Sequence, residues 1–196
     1  MMRKTKLLSS FLVALSLSVT TVMTIAPSDA DASVSVALSL DDVAKTSTLA
    51  ARVVPRAQTS AWEDGRIVTT TRVAVERVLG GRGVPSEIDV KTLGGRVGNI
   101  GQIVEGEASF AIGTSSIVLL VPRASDGALF VNGRAQGQLV IQRAKDNREI
   151  VRVASTGALV DRRRARTEEL VTAFDGRDAE DASREIVRAW ERTHAR

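Results

Sequence analysis

Two long β patterns flank Glu63-Asp64-Gly65, and they restrict the fold more than anything else in the chain. After the turn, Ile67, Thr69, Thr71, Val73 and Val75 alternate with Val68, Thr70, Arg72, Ala74 and Glu76. This is period two in β-branched residues, the pattern of a strand with two distinct faces. Before the turn, Leu49 to Trp62 reads as the partner strand, with Leu49, Ala51 and Val53 on one face. Pro55 lacks a ladder donor and marks an edge or a bulge. Asp64-Gly65 supplies the positive φ angles that a tight hairpin needs.

Further strands follow. Glu87–Leu93 is a third strand with Ile88, Val90 and Leu93 apolar. Ser116–Pro122 is a continuous apolar run that reads as buried on both faces. Ala128–Val131, Gln138–Gln142 and Glu149–Val153 are separated by turns that include Asn132-Gly133. Short strands spaced by glycine-containing turns predict an all-β barrel or sandwich. Ser39 before Leu40-Asp41-Asp42-Val43-Ala44 predicts a short capped helix ahead of the strands. Beyond Asp161 the texture becomes helical: Thr167 opens one segment, Asp175-Gly176 breaks it, and a second runs from about Ala179 to Thr193. Ala182, Ile186, Ala189 and Trp190 share a face of that second helix.

Residues 1–32 have the pattern of a secretory signal peptide: Arg3, Lys4 and Lys6, an apolar run from Leu7 to about Ala26, then Ala30-Asp31-Ala32. Ala30 and Ala32 supply the small residues at −3 and −1 of a cut before Ser33. The predicted destination is the periplasm or the medium, with no stable membrane anchor after cleavage. The leader carries three basic and two acidic groups, so its removal lowers the formal charge from +4 to +3. A pI near 10.1 therefore reflects arginines nearly balanced by acids rather than a nucleic-acid footprint. The chain has no cysteine and no tyrosine. An exported domain without disulfides must be held by burial.

The chemistry available to such a chain is narrow. Gly94, Gly95, Gly98 and Gly101 are followed by β-type sequence rather than a helix, so they read as bends or bulges and not as a phosphate loop. His194 is the only histidine, which leaves no Ser-His-Asp triad and no multi-histidine metal site. No cofactor is expected. Glu63 and Asp64 in the turn, and Asp175, Asp178, Glu180 and Asp181 further on, read as solvated surface charge; the alternative is a carboxylate-based hydrolase or hydrolase accessory. Arg162, Arg163, Arg164 and Arg166 form a basic run that reads as a candidate interaction surface. From Asp161 onward, nine acids answer nine arginines.

The segments Leu38–Val43, Trp62–Thr69, Val73–Gly81, Leu93–Gly98 and Val104–Phe110 together resemble a group of uncharacterised exported bacterial proteins. At greater distance, the order of elements is similar to netrin-like, tissue-inhibitor-type OB barrels. That resemblance implies a five- or six-stranded barrel over residues 33–160, preceded by a short helix and followed by a charged helical appendage over 161–196. Those inhibitors use an N-terminal cysteine against a protease metal, and this chain has none. The sequence thus predicts an exported, non-enzymatic binding module whose partner is an extracytoplasmic protein or envelope component. Protease inhibition through a barrel edge is the second alternative.

Overall fold

The computed structural model describes residues 35–153, 160–161 and 170–195. Strands β1 (Ser35–Val36), β2 (Leu49–Glu63), β3 (Arg66–Gly80), β4 (Glu87–Leu93), β5 (Gly95–Val97) and β6 (Ile100–Gln102) come first in the chain. They are followed by β7 (Ser116–Pro122), β8 (Leu129–Val131), β9 (Gln138–Arg143), β10 (Glu149–Val153) and β11 (Val160–Asp161). The helices are α1 (Leu40–Thr46), α2 (Leu170–Phe174) and α3 (Ala179–His194).

The hairpin β2–β3 is the backbone of the fold. Asp64 and Gly65 turn it at φ 48° and 74°, the paired left-handed angles of a two-residue turn. The strands pair from Ala50–Gly80 to Glu63–Arg66, with a register shift between Pro55 and Ala57. Proline thus marks a bulge, as its missing donor requires. Seven strands form one mixed sheet in the order β10-β9-β7-β2-β3-β4-β8, and β8 also pairs with β7. The β4–β8 pairing is parallel; all other pairings in this sheet are antiparallel.

This corrects the expected barrel. Strands β9 and β10 continue outward from β7, and β8 meets β4 at only two residue pairs. The result is a large mixed sheet rather than a clean five- or six-stranded barrel. The physical reason is that the sheet has apolar partners on both sides. Leu49, Ala51, Val53, Val73, Val118, Leu120 and Val131 fill one core. Ala50, Ile117, Leu119, Leu139 and Val151 fill a second core with the helices. Adjacent residues of β2 and β7 therefore serve opposite cores, which is why Ile117 to Leu120 are all fully buried.

Helix α3 closes the second core. Asp178 caps it by accepting from the backbone N–H groups of Glu180 and Asp181, satisfying donors that a helix start leaves unpaired. Its buried stripe is Ala179, Ala182, Ser183, Ile186 and Ala189. Small residues let the helix approach the sheet closely, and Ile186 and Phe174 supply the bulk. The Trp190 indole lies against the backbone of Gly80, where a Cβ would collide with the ring.

Candidate interaction surface

Among the described residues the far half of β2 is paired on one side only. Its ladder with β7 covers Leu49 to Val53, whereas its ladder with β3 runs on to Glu63. At Pro55 the carbonyl accepts from Gly113 N–H at 2.9 Å. Past the bulge, the second edge has no ladder partner among the described residues.

The turn sets which groups face outward. Glu63 and Arg66 close a two-residue turn and form a hydrogen-bonded pair, so pairs along the hairpin alternate from there. Trp62–Ile67, Ser60–Thr69 and Gln58–Thr71 are the alternate pairs. Ile67 confirms the phase, because its N–H donates to Gln102 Oε1 at 2.7 Å and its carbonyl accepts from Gly94. Both groups point away from β2. The N–H and C=O of Gln58, Ser60 and Trp62 therefore point away from β3, along the free edge.

The side chains around that edge are set in place. Ser60 Oγ and Thr69 Oγ1 are 2.8 Å apart under Gly95, whose φ of 128° and close approach to both leave no room for a Cβ. Gln58 Nε2 donates to Phe110 O at 2.8 Å and to Thr71 Oγ1. Ala57, Thr59 and Ala61 are exposed on the other face. Trp62 is 50% exposed, and Ile112, beside the start of the edge, is 54% exposed. Large apolar side chains beside an open strand edge are the mark of a pairing surface rather than a neutral one.

Charge frames the edge. Arg56 is exposed and has no ion-pair partner among the described residues. Lys91 holds Glu63 at 2.7 Å, with Arg123 at 3.7 Å. Arg123 also bonds Asp126 and sits over the Phe130 ring at 5.0 Å. That guanidinium holds the Asp126 carboxyl well below the usual carboxylate range. Asp64, at the turn, makes no hydrogen bond or salt bridge among the described residues; its charge acts at longer range on Arg123.

The carboxylates weighed from the sequence are not gathered into a cleft. Asp175 pairs with Arg152, Glu180 with Arg77 and Asp181 with Arg184, and Asp178 is a helix cap. Among the described residues no three acids or histidines are grouped to hold a metal. His194 stacks on Trp190, with centroids 4.0 Å apart. Among the described residues one carboxyl has its pKa raised: Glu107, chiefly by burial, with the Arg134 charge and backbone donors opposing. Ala30, Ala32, Ser33, Arg162, Arg163, Arg164 and Arg166 lie outside the described residues. Among those that are described, no helix is long and apolar enough to cross a membrane. Sequence reasoning missed the β2 edge; its signal was Pro55, which reads as an edge or a bulge. No family model, curated protein or solved structure matches the chain.

Proposed function

We propose that this is an exported, non-enzymatic binding module that captures an extended polypeptide segment along the free edge of β2. The observation that carries the reading is the run of outward main-chain groups at Gln58, Ser60 and Trp62. Backbone pairing to such an edge supplies affinity, and the alternating side chains supply selectivity. The partner is an extracytoplasmic protein or envelope component that presents a strand. The leader pattern, with cleavage before Ser33, underlies the export part of the proposal. The pairing circuit β2-β3-β4-β8-β7, closed by β7–β8, supports an OB-type barrel as the scaffold beneath this edge.

Affinity capture from the native secretome tests it, with purified protein and its Ser60→Pro variant as baits. Proline removes the outward N–H of residue 60 and no β3 ladder bond, because that N–H faces the edge. The expected result is a saturable partner that persists across salt concentrations and is lost with Ser60→Pro, at unchanged far-ultraviolet dichroism. Equal retention by both baits refutes the edge as the binding site.

A further inference from the structure

The edge is complementary to itself. Resting on the strand-capture reading above, we propose that a second copy of this chain occupies it, forming a two-fold dimer through antiparallel β2–β2 pairing centred on Ser60. In an antiparallel strand pair related by a two-fold axis, residue numbers across the axis have a constant sum. Only a centre at Ser60 maps the three outward residues onto themselves: Ser60 meets Ser60, and Gln58 meets Trp62 in both directions. That register satisfies all six outward main-chain groups of each copy.

The flanking chemistry fits the same centre. Arg56 lies just before the paired stretch and Asp64 just after it. The two-fold axis brings Arg56 of one copy to the end of the edge where Asp64 of the other copy stands. Two charges without salt bridges among the described residues thus answer each other twice, Asp64 in addition to its longer-range attraction to Arg123. Trp62, half-exposed in the single chain, lies across from Gln58 of the other copy. On the opposite face, Thr59 meets Ala61. These are small residues that let the strands approach, and neither carries the charge that commonly blocks an edge. The pairing adds to one edge of an intact sheet, so neither copy needs to unfold. A contact confined to five residues per strand falls among weak interfaces, with a dissociation constant of roughly micromolar order.

The absence of cysteine from the native chain permits a sharp test of register. On this edge Thr59 and Ala61 form the closely spaced, non-hydrogen-bonded pair, a separation that a disulfide can span. Thr59→Cys and Ala61→Cys proteins are prepared separately, mixed, and oxidised mildly. The mixed 59–61 disulfide is expected to form at least about tenfold faster than either homodimer. It is also expected to outpace Glu191→Cys, a control at an exposed site on α3, at the other end of the hairpin. Faster homodimer formation by either variant alone overturns the centre at Ser60, and rates no higher than the Glu191→Cys control overturn self-pairing altogether. Sedimentation equilibrium of the unmodified protein gives an independent reading. A dimer that Ser60→Pro weakens at least about tenfold is expected; a protein that stays monomeric to roughly 500 µM, well above the weak-interface range, refutes the dimer. If the protein stays monomeric, capture of a different partner by wild type but not by Ser60→Pro leaves the functional proposal standing, so the two failures can be told apart.

Discussion

Gly80 is the most informative position for testing how α3 is seated. It is buried near the end of β3, opposite Ala50, and its φ is not one that excludes other residues. A Cβ there would run into the fused ring carbons of Trp190. In isolation, Gly→Ala at a compatible strand position stabilises by about 0.4–1 kcal/mol by narrowing the unfolded ensemble. Here the indole must move. Losing half of a tryptophan contact of about 200 Å² removes roughly 2–3 kcal/mol at about 25 cal/mol/Å². Gly80→Ala should therefore destabilise by about 2 kcal/mol, a fall of roughly 4–8 °C for a domain of this size. Trp190→Ala alone should cost about 2–3 kcal/mol, below the full range for a completely buried tryptophan because its outer side faces solvent. In the Trp190→Ala background the new methyl has space, so Gly80→Ala should become neutral or stabilise by about 0.5 kcal/mol. The coupling is thus about 2–3 kcal/mol, with a change of sign. Urea unfolding followed by far-ultraviolet dichroism measures all four corners without relying on the altered fluorophore. Additivity within about 0.5 kcal/mol would refute the reasoning.

Three other perturbations test separate parts of the fold. Ile186→Ala, in the fully buried stripe of α3, should cost about 2–5 kcal/mol by chemical unfolding, whereas Val187→Ala beside it should cost about 1 kcal/mol. Asn132 Nδ2 lies within 3.0 Å of Val43 O, Thr46 Oγ1 and Ser47 Oγ; Asn132→Ala should destabilise by about 1–2 kcal/mol and speed amide exchange at the C-terminal end of α1. Burial raises the Glu107 pKa above its ordinary 4.5, so ionisation opposes folding. The associated stability is complete below pH 4.5 and is lost as pH rises through the folded value. Glu107→Gln should therefore raise the thermal midpoint at neutral pH and leave it nearly unchanged in acid; an equal rise at both would show that the effect is not ionisation.

Local patterns carried much of this fold and long-range pairing carried the rest. The alternation from Ile67 to Val75 and the Asp64-Gly65 turn specify the hairpin because side-chain period and turn angles are local properties. Ser116–Pro122 reads as buried on both faces; the structure buries Ser116 to Leu120 and supplies the reason, since Ile117 and Leu119 enter one core and Val118 and Leu120 the other, while Pro122 is exposed. The β7–β2 and β4–β8 pairings join residues far apart in sequence, and no local pattern encodes them. The seven-stranded sheet therefore could not be counted from strand signals alone. Trp62 looks like one of few aromatics available for a core; its exposure depends on the strand that does not continue beside it. The basic run Arg162–Arg166 stands out by composition, whereas Gln58 and Ser60 are ordinary residues made notable only by which way their amides face.

The free edge itself follows from strand lengths. Strands β2 and β3 each have 15 residues, while β4 and β7 have seven. Neither short strand can cover its long neighbour. Strand β7 lies along Leu49–Val53 at the near end of the hairpin, and β4 along Val68–Ala74 toward the far end. This diagonal stagger leaves two stretches without a ladder partner among the described residues, near β3 and far β2. The near end of β3 is held under α3, with Glu180 bonded to Arg77 at 3.0 Å and Trp190 over Gly80. Nothing among the described residues does the same for far β2. Amide exchange should therefore alternate along that strand in dilute solution. Ala57, Thr59 and Ala61, bonded to β3, should be protected, whereas Gln58, Ser60 and Trp62 should exchange at least about tenfold faster. Raising the protein concentration should slow the second set and leave the first unchanged. Uniform protection along the strand, at any concentration, would mean that the outward groups already have partners within the single chain.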